Sequence, residues 1–199
     1  MREAAARAVV AGGVALVLVA GAGTGVAGAR GAETGGAGAR GAGGGHHHYR
    51  LQHSDIPWSG SPSPFESRLK LPDGRRVALH YLKRKGLYVQ DYSPRERGWS
   101  KPKAVYRTRA DVCQGITLTA RAGTVAAIAD WGTYCYDGEP PQTSLAAVAT
   151  GGLTTWERHI TRHFDGWTRA DIARDGKRVT FKHHADRLRW TKGGGFTKG

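Results

Sequence analysis

Acidic residues, cysteines and long apolar runs are all scarce in this chain, and each scarcity excludes something. Asp and Glu number 16 against 30 Lys and Arg, a formal net charge of +14. That balance favours acidic partners, such as anionic glycans, wall polymers, lipid headgroups or nucleic acid. A solvated basic surface is the plain alternative, because no compact Lys/Arg run stands out. The two cysteines, Cys113 and Cys135, belong to no Cys-x-x-Cys and have no neighbouring His, which excludes the usual zinc module. His-Glu-x-x-His, Gly-x-Ser-x-Gly, a P-loop and a dinucleotide fingerprint are all absent. No cofactor, no metal and no nucleic-acid partner is therefore expected. From Ser67 onward, patterns of helix length are missing as well.

The one apolar run lies at the N-terminus. "MREAAAR" carries two arginines, "AVVAGGVALVLVAGAG" follows, and "VAGA", Val26 to Ala29, offers the small residues a signal peptidase reads. Residues 1–29 are read as a secretory signal peptide, cleaved near Ala29, and the product as extracellular. The alternative is a membrane anchor formed by the same segment. Its strongest part, Val14 to Ala20, is too short to span a bilayer alone. Residues 30–48, beginning "RGAETGGAGARGAGGG", hold almost no side chain that could bury surface against chain entropy, and read as a flexible linker. His46, His47 and His48 close it, a run expected to bind metal weakly or not at all. Export places Cys113 and Cys135 in an oxidising compartment, where one disulfide is expected.

Residues 49–199 read as a β-domain. "RLKL" meets "RRVALHYL" across Pro72-Asp73-Gly74, "GITLTAR" meets "TVAAIADW" across Ala122-Gly123, and "RADIAR" meets "KRVTFKH" across Asp175-Gly176. Each is a strand, a tight glycine turn and a second strand. Third strands follow as "GLYVQDY", "SLAAVAT" and "RLRWT", and two units continue into Trp-containing fourth strands, "GWSKPKAVY" and "TTWERHI". Turn glycines at 74, 123 and 176 set a repeat of about 50 residues, the size of a four-stranded propeller blade. The expected fold is all-β, a partial β-propeller-like array of about three four-stranded antiparallel units.

"ATGGLTTW", Ala149 to Trp156, resembles the Asp-box (BNR) repeat of the sialidase-type β-propellers of secreted bacterial proteins, over about residues 66–196. Gly151 stands at the Asp position and Leu153 at the Gly position, and "SPRERGWS", Ser93 to Ser100, follows the pattern more loosely. The resemblance implies a structural turn whose Trp packs between blades and whose Thr hydroxyl caps the turn. It implies no catalytic residue, since the box lies away from the active face. A hairpin in a β-sandwich is the alternative. Closed propellers have four to eight blades, and the third unit shows no fourth strand before "TKGGGFTKG". Self-association to complete the ring, a shortened propeller, or pairing of "YRLQHS" (Tyr49 to Ser54) with the last unit would each resolve this. An open array is expected to expose an apolar blade face.

Blade geometry gathers the 2–3 loops and the links between units at one end. Arg107, Arg109, Asp111 and Cys113 belong there, with Asp130 to Thr143 from the long loop, the link Thr161 to Gly166, and His183-His184. In a continuing strand these two histidines would point to opposite faces. The candidate ligand-binding residues are Asp130, Trp131, Tyr134, Tyr136, Asp137, Glu139, Arg107 and Arg109, with aromatics to stack on sugars and carboxylates to bind hydroxyls. No catalytic residue is assigned. The expected function is a secreted, non-catalytic module that binds extracellular glycan or a protein partner. A sialidase-related glycoside hydrolase active only in a larger assembly, and a basic binder of wall or membrane polyanions, are the alternatives. N-terminal sequencing of the exported protein is expected to begin at Arg30; an intact Met1 in the membrane fraction would favour the anchor.

Overall fold

The computed structural model of the chain describes residues 48–199. The segments expected to be a signal peptide (1–29) and a linker (30–48) lie outside the described residues, apart from His48. Among the described residues, thirteen strands form three antiparallel sheets. The first holds β1 (Glu66–Lys70), β2 (Arg76–Leu82) and β3 (Gly86–Ser93), with β4 (Gly98–Trp99) and β5 (Lys103–Tyr106) both paired to β3. The second holds β6 (Thr117–Arg121), β7 (Thr124–Trp131), β8 (Thr143–Thr150) and β9 (Glu157–Arg162). The third holds β10 (Arg169–Ile172), β11 (Arg178–His183), β12 (Asp186–Thr191) and β13 (Gly195–Lys198). The all-β array of three four-stranded antiparallel units is thus present, with the first unit's fourth position split in two. Pro102 has no N–H to donate, and the gap beside it is filled by Ser100 and Gln90. Ser100 Oγ accepts from Asp91 N–H at 3.0 Å, and Gln90 Nε2 donates to the Ser100 carbonyl at 2.8 Å.

The second sheet is buried on both faces. Along β7, Val125, Ala127, Ala129 and Trp131 face the first sheet, while Ala126 and Ile128 face the third. β8 repeats this with Leu145, Ala147 and Ala149 on one side and Ala146 and Val148 on the other. Two buried faces explain why these strands are continuously apolar rather than alternating. The flanking sheets supply the bulk: Leu79, Tyr81 and Leu87 from the first, Phe181, Leu188 and Trp190 from the third. Large residues against alanines let sheets approach closely without voids.

Polar links cross between units where strands end. Arg75 Nη1 donates to the Gly151 carbonyl, and Thr124 Oγ1 donates to the Gly176 carbonyl at 2.7 Å. On β9, Arg158 Nη1 reaches the Val105 carbonyl at 2.6 Å, and Glu157 Oε2 accepts from Trp190 Nε1 at 2.9 Å. Gly176 sits at φ +69°, and a Cβ there would lie 2.8 Å from the Ala122 carbonyl oxygen, so the turn needs glycine twice over.

Three expectations are corrected. The third unit has its own fourth strand: β13 lies within "TKGGGFTKG", pairing Phe196 with Trp190 and Gly195 with Thr191. Three successive glycines hid a hairpin whose turn uses φ +87° at Gly193 and +69° at Gly195. Tyr49 to Ser54 runs along the first sheet instead of the third. Tyr49 bridges Trp99, and Gln52 N–H donates to Gln90 Oε1 at 2.7 Å. Glu66 anchors the same segment by accepting from Ser54 N–H at 2.8 Å and contacting His53 Nδ1 at 3.1 Å. Burial pushes the Glu66 carboxyl up, but the bonds from Arg68, Ser54 and His53 outweigh it and hold it below the usual range.

The third correction concerns the array's end. The outward side chains of the third sheet are Arg169, Asp171, Arg178, Thr180, Lys182, Arg187, Arg189 and Thr191, so this face is polar and basic where an apolar one was expected. In the Gly-Gly turn between β8 and β9, Leu153 is fully enclosed, whereas Trp156 is half-buried at the margin of the first core. The Trp156 indole N–H closes the turn on the Leu153 carbonyl at 2.8 Å. Leu153→Ala is expected to destabilise the fold by about 2–5 kcal/mol, as for a buried leucine. Trp156→Ala should cost less than Leu153→Ala. Urea midpoints of the two variants check the order, which the reverse ranking would overturn.

Candidate functional site

The links and 2–3 loops meet at one end of the array, and a disulfide fixes them. Cys113 and Cys135 are bonded, 22 residues apart in sequence. Cross-linking a loop of that length contributes roughly 3 kcal/mol in the chain-entropy model. The first link is also hydrogen-bonded to the end of β7. Cys113 N–H donates to the Asp130 carbonyl and Gly132 N–H to the Asp111 carbonyl, each at 3.0 Å. The long loop contains one 3-10 turn, Cys135–Asp137, flanked by Tyr134 at φ +65° and Gly138 at φ +88°. The second link leans on this loop, with His163 N–H donating to the Gln142 carbonyl at 2.9 Å.

The structure separates the candidate residues into core and surface. Trp131 is 0% exposed, packed edge-on against Tyr81 at 5.5 Å and beside Tyr106 at 5.0 Å. It ends a strand and supports the site from below, so it offers no stacking face. Asp130 is 1% exposed and likewise enclosed. Tyr134 is 71% exposed, and Asp137 and Glu139 are exposed beyond it. Tyr136 lies within the 3-10 turn. Arg107 and Arg109 are exposed on the first link.

Around Tyr134 lies a groove of about 570 Å³, lined by Ile56, Lys83, Arg84, Asp111, Thr133 and Tyr134 among others. Arg84 is shared with a second hollow of about 560 Å³, where it meets Lys85, Tyr88, Arg107 and Arg109. Asp137 and Glu139 line neither hollow. Lys83, Arg84 and Lys85 were the residues sequence reasoning passed over. They form the turn between β2 and β3, closed by Lys85 N–H on the Leu82 carbonyl, with Arg84 at φ +56°. Three consecutive cations in a 2–3 turn were the available signal. His183 and His184 also depart from expectation. His184 is not in a strand: it opens the turn at φ +44°, and the two rings meet with centroids 4.4 Å apart.

Beneath the groove, Asp130 joins the three units. Its N–H donates to Tyr81 Oη of the first sheet at 3.1 Å, and its carboxylate accepts from the Ser144 hydroxyl. Ser144 Oγ in turn accepts from Trp167 N–H at 3.0 Å, where the chain enters the third unit. Burial raises the Asp130 carboxyl to about 6, against the Ser144 bond that lowers it. Its Oδ1 has no hydrogen-bond partner. Burial, helped by the Asp130 charge, also drives the Tyr81 hydroxyl well above its ordinary value.

No protein-family model, no curated protein and no solved structure matches the chain.

The Asp130 environment fixes a pH dependence. Its folded-state carboxyl keeps its proton to about pH 6, while the unfolded one ionises near 3.8. The folded state therefore binds more protons between these values, and its stability falls as pH rises through the interval and stays low above it. Asp130→Asn keeps an acceptor for Ser144 and removes the buried charge. It is expected to be more stable than the parent at pH 8, by on the order of 3 kcal/mol, and equal to it near pH 4. Thermal unfolding across pH 4–8 checks this. An Asn variant less stable than the parent at pH 8 would overturn it.

Proposed function

We propose that this chain is an exported, non-catalytic, propeller-like module whose loop end binds an anionic extracellular glycan. The observation that carries the reading is the grouping of Lys83, Arg84, Lys85, Arg107 and Arg109 around two hollows that share Arg84, with exposed Tyr134 lining the first. The cations offer charge-assisted hydrogen bonds to carboxylate, sulfate or phosphate groups. Tyr134 offers a face for sugar-ring contact, and Asp111 and Thr133 offer partners for hydroxyls. The stapled loop lowers the ordering cost on binding. Lys83, Arg84 and Lys85 sit on a turn of a rigid sheet, where binding groups are commonly placed.

The hydrolase reading has less support. A sialidase-type enzyme needs an accessible carboxylic acid, and Asp130, its candidate here, is enclosed between sheets. The polyanion reading draws on a separate observation, the basic outward face of the third sheet with Arg169, Arg178, Lys182, Arg187 and Arg189. There Asp171 is bound by Lys182 at 2.6 Å and Arg169 at 3.1 Å, and Arg178 and Arg189 flank this cluster.

Polygalacturonate and neutral dextran, immobilised in parallel, separate these readings. The parent is expected to bind the first and not the second. Changing Lys83, Arg84 and Lys85 together to Ala should weaken binding at least about tenfold, one decade being about 1.4 kcal/mol. Changing Arg178 and Arg189 to Ser should leave binding unaltered. The reverse pattern would move the site to the third sheet. Loss of most binding near 0.5 M salt, where the Debye length is about 4 Å, marks the charge contribution. Turnover of a fluorogenic sialoside would replace the binding reading with the enzymatic one.

A further inference from the structure

A second constellation stands at the same loop end, on the third unit, and involves none of the groove residues. His183 ends β11, His184 opens the following turn, and Asp165 belongs to the link between β9 and β10. One nitrogen of each histidine and a carboxylate oxygen of Asp165 all lie within 4.8 Å of one another. His183 Nε2 and Asp165 Oδ2 are already 3.5 Å apart. In a four-coordinate zinc site, bond lengths of 2.0–2.1 Å place neighbouring donor atoms about 3.3 Å apart. The first pair is thus nearly at ligand spacing, and His184 and Asp165, both exposed, are free to close the remainder.

Two features mark the cluster as more than two histidines beside an acid. His183 is 7% exposed and wedged against the Phe164 ring at 5.2 Å, which holds its Nε2 beside Asp165 Oδ2. His184 holds φ +44°, a region that non-glycine residues adopt at some cost. That conformation brings its ring back onto His183, where a continuing strand would turn it to the opposite face. Arg187 fixes the turn by donating to the His184 carbonyl at 2.5 Å and the Asp186 carbonyl at 2.8 Å. The guanidinium is thereby engaged with the backbone.

We propose that Asp165, His183 and His184 form a three-ligand site for a divalent transition-metal ion, Zn²⁺ by preference. Two imidazoles and one carboxylate match the ligand tastes of zinc and its neighbours, and differ from the all-oxygen shells of Ca²⁺ and Mg²⁺. Three protein ligands leave a fourth position open to water or to an oxygen of a bound ligand. Asp165 and His184 are exposed, so the ion enters from solvent without unfolding.

The test uses the full-length mature chain with His46, His47 and His48 changed to Ala, because that run offers imidazoles of its own. Co²⁺ titration followed by d–d absorption, with Zn²⁺ competition, gives stoichiometry and affinity. One equivalent of Co²⁺, displaced by Zn²⁺, is expected. His184→Ala and Asp165→Asn, both at exposed positions, should each weaken it by more than the roughly 10–100-fold that loss of an outer-shell partner causes. Circular dichroism should stay unchanged. Paramagnetic broadening by Co²⁺ in the parent, which needs no site variant, should centre on residues 163–167 and 181–186. No bound Co²⁺, folded variants that bind as tightly as the parent, or broadening centred elsewhere would each overturn the site.

Discussion

The middle sheet is the constraint on which the rest of this structure depends. Its central strands are buried on both faces, so every residue from Thr124 to Trp131 is enclosed. Neither face meets water, and neither holds much bulk: Ala126, Ala127, Ala129, Ala146, Ala147 and Ala149 make up much of it. Small residues bring the neighbouring sheets close, and their large side chains fill the space from outside. Removing either flanking sheet would expose a complete apolar face. The ends of the array are built differently. The N-terminal segment lies over the first sheet through Glu66 and Gln90, and the third sheet ends in arginines and threonines. Capping with polar outer surfaces is how repeat arrays remain soluble when open.

The same sheet organises the loop end. Asp130 terminates the buried run of β7, and its bonds to Tyr81 and Ser144, with Ser144 in turn bonded to Trp167 N–H, tie all three units at one level. An enclosed carboxyl with an unpartnered oxygen is a stability liability at neutral pH. Above that tie the disulfide and the short ladder from Asp111 to Cys113 hold the long loop in place. The cationic turn Lys83-Arg84-Lys85 and the histidine turn of the third unit are therefore presented on a stiff base. The proposed glycan groove and the proposed metal site are separate constellations. Each sits on a 2–3 turn, because the array directs those turns to one end.

The strand pattern was legible in the sequence, because tight turns need glycines and strands need apolar runs, and both are local requirements. Three units, their hairpins and the long loop follow from such signals. The Cys113–Cys135 pairing followed from there being two cysteines and one expected oxidising compartment. What failed to show were features decided by neighbours distant in sequence. Trp131 ends its strand as expected but read as an accessible aromatic at the head of the long loop, because its burial comes from Tyr81 and Tyr106, some 25–50 residues earlier. Three glycines concealed β13, since a strand that short is recognised only through its partner β12. His184 faces His183 because of a single left-handed φ, which a histidine in a strand-like run does not announce. The sequence by itself determined the all-β repeat, since turn chemistry and hydrophobic period act over a few residues. Which side chains were buried, and which met at the loop end, was decided only by sheets packing across the chain's full length.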